Sequence, residues 1–242
     1  MFPSSPLARK IEAFVALSED ESAVLAGLHQ RSRCFEAGRD LVRQGQSGQS
    51  AFILAEGWSC TYKLLRNGAR HIVDFQIPGD FPGLRGVLYR KANHGMSPVT
   101  RVRASEVLRE ELLAAFVGTP RLAVAILWAG ARDEALLVEH LVRLGKRSAA
   151  QRTAHLFLEL GARLRLVGLH GADGFACPLT QYLLADALGL SAIHVNRSLR
   201  LLREGGMMTF QNGYVRFDDF DRLVAFADFD TAYLHLGGPP MI

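Results

Sequence analysis

A chain of 242 residues that is 49% hydrophobic is long enough for two domains with their own cores. Its net charge of +4 is modest, so where the charge lies says more about partners than the total does. No apolar run reaches the length of a membrane span, and the first ten residues lack the apolar stretch of a secretory signal. The three cysteines are odd in number, scattered and without a Cys-x-x-Cys pair. Together these features argue against a spanning helix, a disulfide framework, a zinc site or an iron–sulfur cluster, and point to a cytoplasmic protein.

In chain order, Leu7 to about Leu28 reads as helical, with Ser18-Glu19-Asp20-Glu21 as a capping box ahead of Ala23, Val24, Leu25 and Leu28. From about Arg33 to Ala104 the pattern changes to short runs broken by Gly38, Gly45, Gly48, Gly57, Gly68, Gly79, Gly83 and Gly86. Trp58, Cys60, Tyr62 and Leu64 are placed on one face of a strand and Ser59, Thr61 and Lys63 on the other. Asn67-Gly68 marks a hairpin turn, after which Val73, Phe75 and Ile77 alternate with Asp74 and Gln76. Regular short strands of this kind predict an antiparallel barrel or roll.

From Pro120 to Leu144 the apolar residues Leu122, Ile126, Ala129, Leu136, Leu137, Leu141 and Leu144 fall at helical spacing. So long a helix carries more apolar surface than one small barrel covers. A coiled-coil homodimer is the simplest way to bury the remainder; packing wholly within one subunit is the alternative. Gly145-Lys146-Arg147 reads as a hinge, and Ala149, Ala150, Ala154, Leu156, Phe157, Leu160 and Leu164 mark a further amphipathic helix. Cys177 precedes the next motif; it is read as a core residue, with a redox-sensitive thiol as the alternative.

The stretch Leu179 to Gly205 predicts two short helices joined by a tight turn. Thr180 caps the first, whose apolar face is Leu183, Leu184, Ala187 and Leu188; Gly189 supplies the bend and Ser191 caps the second. Ala185, four residues before Gly189, leaves room for the helices to cross. On the second helix Val195, Leu199 and Leu202 form the inner stripe. Ala192, Ile193, Asn196, Arg197, Arg200 and Arg203 form an outer face with three arginines and no acid, which suits a DNA major groove. A plain helical hairpin with solvated arginines is the alternative. Against it, Met207 to Phe210, the turn Gln211-Asn212-Gly213 and Tyr214 to Phe217 predict a β-hairpin in the position of a wing. Charge follows the same division: Arg147 to Arg216 holds eight arginines against four acids, and Phe217 to Ile242 one arginine against five aspartates.

A glycine-punctuated roll, a long helix, a hinge and a winged helix-turn-helix together resemble the Crp/Fnr family of bacterial transcription regulators. The motifs that carry the likeness are Phe35-Glu-Ala-Gly38, Gln44-Gly-Gln-Ser-Gly48, Phe52-Ile-Leu-Ala-Glu-Gly57, Ile77-Pro-Gly-Asp-Phe81, Arg147-Ser-Ala-Ala-Gln-Arg152, Leu184-Ala-Asp-Ala-Leu-Gly-Leu-Ser191 and Val195-Asn-Arg197. The resemblance implies an α+β fold: an antiparallel β-roll of cyclic-nucleotide-binding type, a double-stranded β-helix, over residues 1–117. A dimerisation helix and hinge follow over 118–146 and a winged helix-turn-helix over 147–242. It implies palindromic double-stranded DNA, a second copy of the chain and RNA polymerase as partners, with Thr180, Gln181, Ser191, Ala192, Ile193, Asn196, Arg197, Arg200 and Arg203 in the DNA interface and the recognition helix at 191–204.

Relatives that bind cyclic nucleotides carry Phe-x-Gly-Glu and, later, an Arg-Ser pair, so that glutamate holds the ribose and arginine the cyclic phosphate. Here the motif reads Phe81-Pro82-Gly83-Leu84, and Met96-Ser97-Pro98-Val99 stands where Arg-Ser is expected. Tight cyclic AMP binding is therefore not expected. Gly83, Arg85 and Ser97 are what remains as a weak effector site, with Arg85 a possible substitute for the phosphate cation. The N-terminal cysteine cluster of oxygen-sensing members is missing, His71 on a strand is a poor haem ligand, and no cofactor is implied. The chain is closest in this respect to the FixK-like branch, and its effector is not identified.

The recognition helix departs too: where better-known members have Ser-Arg-Glu-Thr-Val, this chain has Ser191-Ala192-Ile193-His194-Val195. Arg197 matches a family arginine and can bond bidentately to guanine, Asn196 suits adenine, and Ala192 and Ile193 suit thymine methyls. The competing reading is a cyclic-nucleotide-responsive signalling module whose C-terminal part binds protein. An enzyme is disfavoured because no paired carboxylates, nucleophile–base pair or phosphate-cradling glycine loop is found.

Overall fold

The computed structural model describes residues 5–48, 50–84 and 86–234. These form two compact units, 5–69 with 73–134 and 70–72 with 135–234. Arg85 lies outside the described residues.

The chain opens with α1 (Pro6–Glu12) and α2 (Glu19–Gly27). The helical stretch expected from Leu7 to about Leu28 is divided in two, and the expected capping box starts the second helix. Ser18 is extended, and its hydroxyl accepts the Glu21 N–H at 3.2 Å while the Glu21 carboxylate accepts the Ser18 N–H at 2.7 Å. That reciprocal cap starts a helix and cannot lie within one.

The roll comprises β1 (Ser32–Phe35), β2 (Ala51–Glu56), β3 (Ser59–Leu64), β4 (Arg70–Gln76), β5 (Gly95–Pro98) and β6 (Val102–Val107). They form two three-stranded sheets in the orders β1-β6-β2 and β4-β3-β5, and the β6 pairs with β1 and β2 and the β3 pair with β5 are antiparallel. β2 is buried on both faces, which is why it reads as an uninterrupted apolar run. Ala51 and Ile53 join Leu7 and Ile11 of α1 in one core, while Phe52 and Leu54 pack with Leu41, Met96, Val102 and Ala104 in a second.

The Asn67-Gly68 turn forms as expected, with Gly68 at φ +83° and the Leu65 N–H on the Ala69 carbonyl at 2.9 Å. The alternation on β3 and β4 fails in part. Ser59 is fully buried, Leu64 is exposed, and Ile72 and Gln76 are buried while Val73 is only half-buried. Ser59 Oγ donates to Gln76 Oε1 at 3.2 Å, so two polar side chains satisfy each other on a covered face where simple alternation places neither.

After α3 (Arg109–Gly118), α4 runs unbroken over Pro120–Lys146. Leu122, Ile126, Ala129 and Leu136 of its expected apolar set are buried, whereas Leu137 and Leu144 are half-buried and Leu141 is 71% exposed. Leu127, Ala131, Glu134, Val138 and Leu141 form an exposed stripe at alternating spacings of four and three. The helix continues through Gly145 and Lys146, so two of the three residues read as a hinge are helical and the chain leaves the helix only at Arg147-Ser148. Ser148 leaves the helical conformation to cap α5 (Ala149–Leu166), accepting the Gln151 N–H.

Candidate nucleic-acid interface

α5 is the core of the second unit, with Ala154, Leu156, Phe157, Leu158, Leu160 and Leu164 all buried. It also carries a buried charge. The Glu159 carboxylate, fully buried, lies 2.9 Å from His140 Nε2 of α4 and accepts the Tyr233 hydroxyl at 3.2 Å, with Arg143 and Arg163 guanidinium nitrogens each at 3.7 Å. Burial alone raises a carboxyl's pKa; here His140, Arg143 and Arg163 outweigh it and hold Glu159 below the usual carboxylate range. His155, stacked on Tyr233 with ring centroids 6.2 Å apart, is pushed down to about 3 by burial, helped by Arg143 and Arg147 against the pull of Glu159, and is neutral. This cluster joins the end of α4 to α5 and the segment after residue 228. Its only signal in the sequence is that His140 and Arg143, like Glu159 and Arg163, share a helix face by spacing.

The helix-turn-helix follows. α6 (Gln181–Leu188) starts at Thr180, whose hydroxyl accepts the Leu183 N–H at 3.3 Å. It stops at Gly189, at φ +62°, a left-handed conformation that favours glycine; the Leu190 N–H then bonds the Ala185 carbonyl at 3.1 Å. Ser191 caps α7 (Ala192–Glu204) by accepting the His194 N–H at 3.3 Å. Leu184, Leu188, Val195 and Leu202 are wholly buried at this crossing, each worth about 1.5–3 kcal/mol. The inner stripe of α7 differs from expectation at one position: Ser198 is buried and Leu199 only half-buried. Ser198 Oγ donates to the His194 carbonyl at 2.9 Å, which satisfies the hydroxyl within its own helix.

The outer face presents Ile193, Asn196, Arg197, Arg200 and Arg203 to solvent, with Ala192 half-buried. It is not free of acid: Arg200 Nε meets Glu204 Oε1 at 2.7 Å, one turn on. Arg197 and Arg203 are thereby the more available cations of the face. Gln181 is exposed at the start of α6, and beside it Tyr182 is 76% exposed, a candidate contact that sequence reading did not single out.

The wing is β8 (Met208–Gln211) and β9 (Tyr214–Phe217), turned by Asn212 and Gly213 at φ 52° and 71°, the positive pair of a type I′ hairpin. A third strand, β7 (Gly174–Ala176), pairs with β9 and was not expected. Gly174 must be glycine, since a Cβ there would lie 1.9 Å from the Val215 carbonyl oxygen. Cys177 is buried just after β7, and burial pushes its thiol up to about 12, which makes it a packing residue and an inert thiol. α8 (Phe220–Ala227) closes the unit.

Of the remaining candidates, Gly83 sits at φ +83°, where a Cβ would stand 3.0 Å from the Ser50 carbonyl oxygen. Leu84, in place of the family glutamate, packs half-buried against the core under α4. Ser97 is half-buried on β5, paired with Cys60 of β3.

An antiparallel roll followed by a long helix and a winged helix-turn-helix defines a class of two-part DNA-binding regulators. Comparison with known proteins makes this specific. Residues 32–117 match the cyclic nucleotide-binding domain and residues 151–226 the Crp-like helix-turn-helix domain. The nitrogen fixation regulation protein FixK of Bradyrhizobium diazoefficiens is 30% identical over 194 residues, 80% of this chain and 80% of its own. The transcriptional activator protein FnrA of Stutzerimonas stutzeri is 25% identical over 218 residues, 88% of this chain and 87% of its own. The structure of FixK2 from Bradyrhizobium japonicum superposes with a TM-score of 0.73 at 23% identity, covering 81% of this chain and 96% of that one. The chain belongs to the Crp/Fnr family of DNA-binding transcription regulators, whose members are regulators and not enzymes. Among the described residues no helix is long and apolar enough to cross a membrane.

Proposed function

We propose that two copies of this chain dimerise along the exposed stripe of α4 and read a palindromic promoter site in the cytoplasm, each through α7, in concert with RNA polymerase. The observation that carries this reading is the outer face of α7, where Ile193, Asn196, Arg197 and Arg203 are all exposed on a helix whose other side buries Val195, Ser198 and Leu202. Arg197 pairs with guanine O6 and N7, Asn196 with adenine, and Ala192 and Ile193 lie against thymine methyls. Thr180, Gln181 and Ser191, at the two helix starts, hold phosphates together with Arg203 and, less strongly, Arg200. The half-site therefore differs from one read by arginine and glutamate at the helix start.

The sensor roll does not hold cyclic AMP tightly in this reading. Leu84 offers no acceptor to a ribose hydroxyl, and its side chain is already committed to the core beneath α4. Gly83 and Ser97 retain backbone and hydroxyl groups near that segment without supplying a charge, and Arg85 is left as the one candidate cation of the set.

Selection of bound fragments from genomic DNA with purified full-length protein tests the function. The expected result is an inverted repeat with half-site centres about one helical turn apart. Enrichment of single half-sites, or of no sequence at all, would contradict it.

A further inference from the structure

The DNA-binding unit contains a concave site to which α6 and α7 contribute nothing. A partly open cleft of about 170 Å³ lies between Leu158 and Leu166 of α5 and the rings of Phe217, Phe220 and Phe229. An apolar cavity of about 150 Å³ holds one benzene ring, so the volume admits a single ring and little more. The three phenylalanines offer it faces and edges.

The polar lining is one-sided in charge: Arg165 and His170 are basic, and no lining residue is acidic. Arg165 is exposed at the end of α5. His170 Nδ1 donates to the Gly171 carbonyl at 2.5 Å, and its Nε2 is buried without a hydrogen-bond partner among the described residues. A carboxylate at this rim meets the Arg165 guanidinium beside the unpartnered His170 nitrogen. We propose that the cleft binds a monocyclic aromatic carboxylate of benzoate size, with the ring among the phenylalanines and the carboxylate at Arg165.

The site bears on DNA reading through Phe217, the last residue of the wing strand, whose N–H is held by the Asp173 carbonyl at 2.9 Å. A ring seated between Phe217 and α5 braces the wing, and any change it makes in DNA affinity is returned as an equal change in ligand affinity.

The test is a titration of the full-length protein into 4-fluorobenzoate, followed by fluorine NMR, with unlabelled competitors. Saturable broadening that benzoate reverses is expected, with benzyl alcohol about tenfold weaker and acetate without effect. Arg165→Met, an exposed change, should weaken binding about tenfold. Ala162→Phe, which fills the cleft, should abolish it in protein whose melting curve shows it folded. No saturable binding, wild-type binding by both variants, or equal competition by benzyl alcohol would overturn the proposal.

Discussion

In the helix-turn-helix every hydroxyl cap, small residue and buried leucine that the turn requires is present, and the reading face of α7 has changed only in which side chains it offers. In the roll, the segment around Gly83 keeps its left-handed turn but has exchanged the glutamate that would meet a ligand for Leu84, which packs against the core. Backbone geometry and side-chain chemistry are thus separable. In the proposed reading the fold keeps its DNA-reading end while its sensing end lacks the charges of a cyclic-nucleotide site. In the proposed reading the stripe of α4 and the Glu159 cluster belong with the first region, because that reading needs dimerisation and the seating of α5 whatever the signal is.

If that contrast is right, damage to the α4–α5 machinery should cost far more than changes around the rim of the reading face. The largest effect is expected for Leu141→Glu, which replaces the exposed leucine at the C-terminal end of the stripe with a charge. Sedimentation should show a monomer, and binding to a full palindrome should be lost although each subunit remains folded. A folded, dimeric variant would place the dimer interface elsewhere.

Next comes Glu159→Gln. The amide leaves Arg143 and Arg163 buried beside a neutral group, and removing one partner of such a cluster costs about 3–5 kcal/mol. Urea unfolding should register the loss. Because the folded carboxyl is held below its ordinary value, its contribution is present above the ordinary carboxylate range and disappears as pH falls further.

His155→Phe probes the same region with a smaller effect. With a folded pKa of about 3 against 6.5, the unfolded chain binds the additional proton between those values, so stability falls as pH falls through that window. The slope is about 1.4 kcal/mol per pH unit. Phenylalanine keeps the ring against Phe229 and Tyr233 and removes the titration, so denaturation midpoints at pH 7 and pH 5 should lie closer together than in the wild type. An unchanged pH dependence would mean that His155 is not the group responsible.

The smallest effect separates two arginines of α7. Arg203→Ala should reduce the salt dependence of DNA binding by about one unit of slope, with base preference unchanged. Arg200→Ala should change it less, because Glu204 already holds that guanidinium. The reverse order would reverse their assigned roles.

Much of this was legible in the sequence for a local reason. Thr180, Gly189, Ser191 and Asn212-Gly213 act on neighbours within four residues, so their spacing alone specifies caps and turns. Features held by distant partners were not legible. β7 has three residues and exists only because Val215 of β9 receives it, with Gly174 permitting the approach. Ser198 is buried in place of Leu199 because its hydroxyl finds a carbonyl in its own helix, and Ser59 because Gln76 lies across the sheet. The Glu159 cluster draws on residues from 140 to 233, a range no periodicity spans. On the candidate site, the exposure of Arg197 follows from helical spacing, and the pairing of Arg200 with Glu204 is equally legible at a separation of four residues.

The central claim is that α7 reads bases and that Arg197 is its specific contact. Fluorescence anisotropy with the genomically selected palindrome and a base-substituted control tests it directly, comparing wild type with Arg197→Ala at one salt concentration. A bidentate guanine contact is worth about 1–3 kcal/mol and occurs once in each half-site. The account predicts that the variant loses its preference for the selected site and binds both DNAs with the same weak affinity. Wild-type affinity together with wild-type preference in the variant would contradict it.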